Sequence, residues 1–346
     1  MKAKQLLAMA AVFSAASVMA EVVVPSFEVQ QDGSFIYEMG ERGVLAYGDY
    51  NNDGYMDCFM VRNGADPALW KNNGDKTFTN VIEEQSDLIF AKVFGAAALW
   101  VDYNNDGNLD LIVSGCMSQN DMGTAILYVY TNEGPESDYY LAENFELEED
   151  VFPSYARNSD DGTGNQIFYA ADFNNDGWVD MVFSGEPADG YDHWRLTKLF
   201  WNNQGTFEAD TTPIEQVNNN GAYVADLDND GYMDFIAGGY SDSVGKQVVN
   251  VFFSNGDKTF TMVTLEHGCQ DGNLLVMDAD NDGNQDIFVS GYGTDNGIFM
   301  LKNNGDRTFT FKSNSEIGLP DNGDGAWGWA SCRAYMVAGD LNNDGY

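Results

Sequence analysis

The chain is 346 residues long and carries 55 acidic side chains against 16 Lys and Arg, a formal net charge of −39 at pH 7. So acidic a surface repels nucleic acid and anionic membrane, which removes nucleic acid from the expected partners. Hydrophobic residues at 44% and aromatics at 14% can still build a large core, and 37 Gly against 7 Pro imply many tight turns rather than a disordered or collagen-like chain.

In chain order, Lys2 and Lys4 come first, then an apolar stretch from Leu6 to Met19 and Ala20 before Glu21. This reads as a secretory signal peptide over residues 1–20, cleaved after Ala20. A retained anchor is the alternative, but the run is short for a membrane span. The expected mature protein is secreted, periplasmic or on the cell surface, with no membrane span. Cys58, Cys116, Cys269 and Cys332 permit disulfides there, and none sits in a CxxC motif. Cys269 and Cys332 hold matching places ahead of two successive repeats and form the first pair to test.

The first acidic turn is DYNNDGYMD, from Asp49 through Asn51, Asp53 and Tyr55 to Asp57. The same nine-residue pattern, Asp-x-Asn/Asp-x-Asp-Gly-x-x-Asp, returns four times in full. The copies are DYNNDGNLD (Asp102, Asn104, Asp106, Asn108, Asp110), DFNNDGWVD (Asp172, Asn174, Asp176, Trp178, Asp180), DLDNDGYMD (Asp226, Asp228, Asp230, Tyr232, Asp234) and DADNDGNQD (Asp278, Asp280, Asp282, Asn284, Asp286). A sixth copy opens with Asp340, Asn342 and Asp344 and stops at Tyr346, so its site is incomplete and the chain is expected to be truncated at its C-terminus.

A second landmark lies between the turns: LWKNNGDKTF (Leu69 to Phe78), the looser LYVYTNEG (Leu127 to Gly134), LFWNNQGTF (Leu199 to Phe207), FFSNGDKTF (Phe252 to Phe260) and FMLKNNGDRTF (Phe299 to Phe309). An aromatic strand, an Asn/Gly turn and Thr-Phe read as a hairpin. Small and apolar runs flank each acidic turn, such as GAAALWV at Gly95 to Val101 before one and LIVSG at Leu111 to Gly115 after it. Each repeat therefore holds four short strands, and such units stack radially as an all-β propeller that leaves only short edges. A linear solenoid is the alternative, but its repeats are usually shorter.

Hard cations take six to eight oxygens, and alternate residues of a tight turn point inward. Side chains at positions 1, 3, 5 and 9, with the carbonyl of position 7, can then converge on one ion. Gly at position 6 supplies the sharp bend. No His or Cys falls in the pattern, so zinc and copper fit poorly, and calcium is expected over magnesium at about five sites. The fourth and fifth copies have Asp228 and Asp280 where the others have Asn, and on charge alone these two should hold calcium tightest. An EF-hand is excluded because its twelfth position falls on Met60, Val113, Phe183, Ala237 and Val289. A dockerin fails similarly, and thrombospondin type 3 arrays are denser and cysteine-rich.

With these turns and the N-x-G-x-x-T-F hairpin, the chain resembles the FG-GAP/VCBS repeats of integrin α-chain propellers and secreted bacterial proteins, over roughly Phe27 to Tyr346. Phe94-Gly95 matches the FG element, but no Gly-Ala-Pro follows, which places the likeness nearer the bacterial branch. The resemblance implies calcium at the turn between the first two strands of each blade, one propeller over residues 21–346, and often seven blades. Ser26 to Val29 resembles a fourth strand and could complete a last blade.

Only His193 and His267 are present among histidines, and no GxSxG, HExxH or phosphate loop occurs. Binding or adhesion, to a glycan or an extracellular protein, is the leading reading. Candidate contacts are Tyr191, His193, Trp194, Arg195, Trp327 and Trp329, with Tyr155 and Arg157 beside them, because rings next to polar groups suit sugar stacking. The same rings could instead be packing between blades. The alternatives are the propeller part of a polysaccharide lyase or hydrolase, and a passive scaffold for a domain beyond Tyr346.

Overall fold

A computed structural model describes residues 44–61, 66–82, 90, 94–118, 121–134, 145–148, 167–185, 196–210, 218–241, 243–292, 295, 297–319 and 336. The expected signal peptide, Ser26 to Val29, the sixth turn and Cys332 lie outside them. The described residues form five four-stranded antiparallel sheets, each in simple sequence order. The first holds β1 (Val44–Gly48), β2 (Asp57–Val61), β3 (Ala68–Asn72) and β4 (Phe78–Asn80). The second holds β5 (Phe94–Val101), β6 (Asp110–Ser118), β7 (Asp121–Asn132) and β8 (Phe145–Glu148). The third holds β9 (Ile167–Ala171), β10 (Asp180–Gly185), β11 (Leu196–Asn202) and β12 (Phe207–Ala209). The fourth holds β13 (Asn218–Ala225), β14 (Asp234–Ser241), β15 (Lys246–Ser254) and β16 (Phe260–Leu265). The fifth holds β17 (Gln270–Met277), β18 (Asp286–Tyr292), β19 (Gly297–Asn303) and β20 (Phe309–Lys312). No helix among the described residues is long and apolar enough to cross a membrane.

The first strands β1, β5, β9, β13 and β17 pack against one another in that order. Among the described residues the second, third and fourth sheets thus lie between two neighbours, and their second strands are covered on both faces. That is why β14 (DFIAGGYS) is buried at every position but Tyr240 and does not alternate between buried and exposed. The outer strands are wetter, as in β16, where Thr261 and Met262 are exposed.

Because the sheets stack face to face, the core is divided into layers. Ala46, Tyr50, Phe59 and Leu69 of the first repeat meet Trp100, Leu111, Val113 and Tyr130 of the second. Val101, Tyr103, Ile112 and Val129 meet Met181, Phe200 and Phe207. Phe173, Val182, Leu199 and Trp201 meet Phe235, Val248 and Phe252, with the Phe235 and Phe252 rings stacked at 4.2 Å. Leu227, Ile236, Val249 and Val251 meet Leu274, Val276, Ile287 and Val289. Trp100 adds a polar link, its Nε1 donating to the Ala46 carbonyl across the first layer at 3.1 Å.

Small residues on the first strands follow from this packing. A Cβ on Gly221 would lie 2.7 Å from the backbone nitrogen of Leu274 in the next sheet. Register irregularities fall within β5, β13 and β17, between Phe94 and Ala97, Asn219 and Ala222, and Gln270 and Asn273. Such bulges let a strand bend where several crowd together. Cys58 and Cys269 are both buried, and the Cys269 thiol donates to the Asp295 carbonyl at 3.0 Å.

Candidate metal centres in the acidic turns

All five complete acidic patterns join the first strand of a sheet to its second. In an up-and-down sheet this puts them at the same end as the hairpins between the third and fourth strands. Their backbone is folded by their own side chains. The position 1 carboxylate accepts from the amides of positions 5 and 6, for example Asp172 from Asp176 at 3.0 Å and from Gly177 at 2.8 Å. The position 3 oxygen also receives the position 5 amide in the first four turns, at 3.1, 3.0, 2.8 and 3.3 Å. The position 5 carboxylate accepts the amide of position 7, as Asp230 does from Tyr232 at 2.9 Å.

Gly at position 6 is required by backbone conformation rather than by crowding. Its φ lies between +87° and +92° in all five turns, yet an added Cβ would meet nothing within 4 Å. L-residues adopt such angles at a cost, and glycine does not.

Asp57, Asp110, Asp180, Asp234 and Asp286 at position 9 are fully buried. One oxygen accepts the backbone amide of the residue that ends the third strand, at 2.7 or 2.8 Å, from Asn72, Asn132, Asn202, Ser254 and Asn303 respectively. In the last four turns the other oxygen accepts the amide of position 2, from Tyr103, Phe173, Leu227 and Ala279. In the first turn Asp57 Oδ2 is buried with no partner at hydrogen-bond geometry among the described residues, the Tyr50 amide only easing its charge.

Burial pushes Asp110, Asp180 and Asp234 up to about 7 and Asp57 to about 6, and it raises Asp286 as well. Backbone amides oppose this shift, while nearby carboxylates of the same turn reinforce it, except that beside Asp286 the charge of Lys302 pulls the other way. These are carboxylates whose charged form calls for a cation. Asp226, Asp228 and Asp234 each offer an oxygen within 4.8 Å of the others, as do Asp278, Asp280 and Asp286. An all-oxygen set with an orphaned buried carboxylate oxygen in one turn suits a hard divalent ion.

Two sets of residues outside the expected ligands complete the turns. The first is the asparagine at position 4, read from sequence only as a spacer. Asn52, Asn105, Asn175 and Asn229 hold left-handed φ values of 54° to 58°. Each donates its side-chain amide to the position 6 carbonyl of the next turn: Gly107 at 3.3 Å, Gly177 at 2.8 Å, Gly231 at 2.9 Å and Gly283 at 3.1 Å. The second set ends the third strand. Asn132, Asn202 and Asn303 donate to the carbonyls of Tyr50, Tyr103 and Leu227 in the preceding repeat, and the Ser254 hydroxyl donates to Phe173. Every copy of the turn spells Asn at position 4. That repetition was the available signal, but a bond to another repeat has no signature in local spacing.

Of the position 7 residues, Tyr55 and Tyr232 lie over Gly74 and Gly256 of their own hairpins, and Asn108 and Asn284 lie over Gly134 and Gly305. Basic side chains reach some of the turns. Lys71 approaches Asp53 at 3.5 Å. Lys302 bridges Asp280 and Asp282, and Arg307 pairs with Asp228 and, at 3.5 Å, with Asp230. Asp340, Asn342, Asp344, Tyr155, Arg157, Tyr191, His193, Trp194, Arg195, Trp327 and Trp329 lie outside the described residues.

Four-stranded sheets in sequence order, each with the same acidic turn between its first two strands, define a repeat protein of β-propeller blades. The chain belongs to the FG-GAP-like repeat family, whose model matches residues 49–113, 102–183, 172–237, 226–289 and 278–346. Among solved structures it is similar to a lectin of Agrocybe aegerita described as specifically recognising non-reducing terminal N-acetylglucosamine. The identity is 22% and the TM-score 0.47, over 79% of this chain and 66% of that one, so the chain spans just under two thirds of the lectin's length. It is also similar to an endo-arabinase from Bacteroides thetaiotaomicron, at 13% identity and a TM-score of 0.35, over 76% of this chain and 87% of that one. A search of curated proteins found no match.

Proposed function

We propose that the protein is an exported, calcium-binding propeller that serves as a binding or adhesion module for a glycan or an extracellular protein. The observation that carries the calcium reading is the buried position 9 carboxylate, which in the fourth and fifth turns is held within reach of the position 1 and 3 oxygens, in a turn whose backbone is already shaped. Calcium at these turns would supply the positive charge that lets the buried carboxylate ionise. The residues of the chain do the rest. Position 1 fixes the turn, position 9 ties it to the hairpin, and the position 4 asparagine passes the order to the next sheet.

Loop variation supports the binding reading. The connections that carry the acidic turns are all eight residues long, from 49–56 to 278–285, whereas those between the second and third strands at the opposite end run over 62–67, 119–120, 186–195, 242–245 and 293–296. A rigid scaffold with one uniform and one variable end is the arrangement in which recognition loops diversify. Tyr191, His193, Trp194 and Arg195 belong to the 186–195 connection. The test is a glycan array and an extracellular-protein panel, each probed in calcium and in chelator, together with calcium titration calorimetry. Calcium uptake with calcium-dependent capture that weakens on replacing Trp194 is expected. No calcium uptake, or no ligand on either panel, would overturn the corresponding half of the reading.

A further inference from the structure

On carboxylate number alone, the fourth and fifth turns should hold a divalent ion most tightly. The extra carboxylates of both turns, however, are met by basic side chains. Asp228 is 8% exposed at its side chain and is paired with both the Nε and Nη2 of Arg307. Arg307 comes from the turn between β19 and β20 of the next sheet, and its guanidinium also lies 4.8 Å from the centre of the Phe253 ring. Asp280 pairs with the Lys302 ammonium, which also holds Asp282 at 2.9 Å. In the second and third turns, by contrast, no basic side chain pairs with Asp102, Asp106, Asp172 or Asp176 among the described residues.

We infer that Arg307 and Lys302 are tethered counter-ions that compete with a divalent ion for Asp228 and Asp230 and for Asp280 and Asp282, so that the second and third turns fill first. The inference rests on the calcium reading above. A fourth carboxylate brings one more negative charge, and the paired cation cancels it. Either the cation swings away when an ion enters, losing its pair, or it stays and repels the ion; both weaken uptake. Arg307 has a further role, because it bridges two sheets. Without an ion it joins the fourth turn to the fifth sheet, replacing part of the link that the ion would make.

The test is calcium titration calorimetry on the full chain, with thermal melts in chelator as a second readout. The wild type should show at least two affinity classes. Lys302→Gln and Arg307→Gln should each tighten a weak class by about three- to tenfold, the range for partly exposed charges. Arg307→Lys, which keeps the charge, should stay close to the wild type. In chelator Arg307→Gln should melt below the wild type, and calcium should close that gap. Lys302→Gln acts within one sheet on a partly exposed pair, so it keeps the test open if the arginine variant fails to fold. Wild-type protein that takes up no calcium defeats the calcium reading itself. Wild-type protein that binds calcium, with isotherms unchanged in both glutamine variants, defeats the counter-ion inference alone.

Discussion

The side-chain amide of Asn202 donates a 2.7 Å hydrogen bond to the backbone carbonyl of Tyr103, 99 residues earlier in the chain. The same amide donates to the Val179 carbonyl at 3.1 Å, and the Asn202 backbone amide donates to Asp180 at 2.8 Å. One fully buried side chain therefore joins the third hairpin to its own acidic turn and to the turn of the preceding sheet. Asn202→Ala leaves two carbonyls without their donor and should cost about 2–4 kcal/mol in equilibrium urea unfolding. Asn202→Ser should cost less, because Ser254 makes the corresponding inter-sheet bond in the fourth repeat with a hydroxyl at 2.7 Å. Equal losses in the two variants would show that the inter-sheet bond is not the stabilising element.

The buried position 9 aspartates predict an unusual pH profile in chelator. Asp110, Asp180 and Asp234 sit at about 7 in the folded chain, against about 3.9 for an ordinary aspartate. The folded state thus binds these protons more tightly than the unfolded state does. Their contribution is complete below about pH 4 and is lost as pH rises through about 7. The chelated protein should therefore melt at progressively lower temperature across that window. Asp180→Asn, which does not titrate there, should flatten the slope. Because an occupying divalent ion requires the deprotonated carboxylate, calcium uptake at about pH 6.5 should release protons, seen as a buffer-dependent heat. A chelated wild type that gains stability across the window contradicts this account.

Asp106→Ala tests a turn without a basic partner. Asp106 lies on the exposed part of the second turn and accepts from Asn108 and Asn104. Its removal should lower the calcium stoichiometry by one equivalent while changing chelated stability by no more than about 1 kcal/mol. Unaltered stoichiometry would remove Asp106 from the ligand set.

Gly256→Ala should be far more damaging than Gly245→Ala, although both positions have positive φ, +72° and +77°. At Gly245 a Cβ meets nothing within 4 Å, whereas at Gly256 it would lie 2.4 Å from the Tyr232 ring. The left-handed conformation alone should cost about 1–2 kcal/mol, and the displaced ring should add about 1–3 kcal/mol. Making Tyr232→Ala first should abolish the excess in a double-mutant cycle. An excess that survives would place its origin in the backbone of the hairpin.

The sheet order was legible because its determinants are local. Nine residues from Asp49 to Asp57 suffice to form a turn, and Asn73, Gly74 and Thr77 suffice to close a hairpin, with Asn73 donating its backbone amide to the Thr77 carbonyl at 3.0 Å. Two such signals per repeat leave one simple antiparallel order for four strands. Position 6 was also legible, although the physical reason differs: its glycines answer to φ and not to crowding. The roles of Asn52, Asn105, Asn175 and Asn229 were not legible, since each acceptor lies in another repeat. The same holds for Arg307, whose carboxylate partners are 79 and 77 residues away.

By itself the sequence determined that this chain is acidic, repetitive and built of four-stranded units with an oxygen-rich turn in each, because turn chemistry and strand periodicity act over a few residues. Only the tertiary structure decided which carboxylates are buried, which asparagines bind one sheet to the next and which acidic turns pair with a lysine or arginine side chain. Those properties depend on the stacking of sheets, and stacking brings together residues that no local spacing relates.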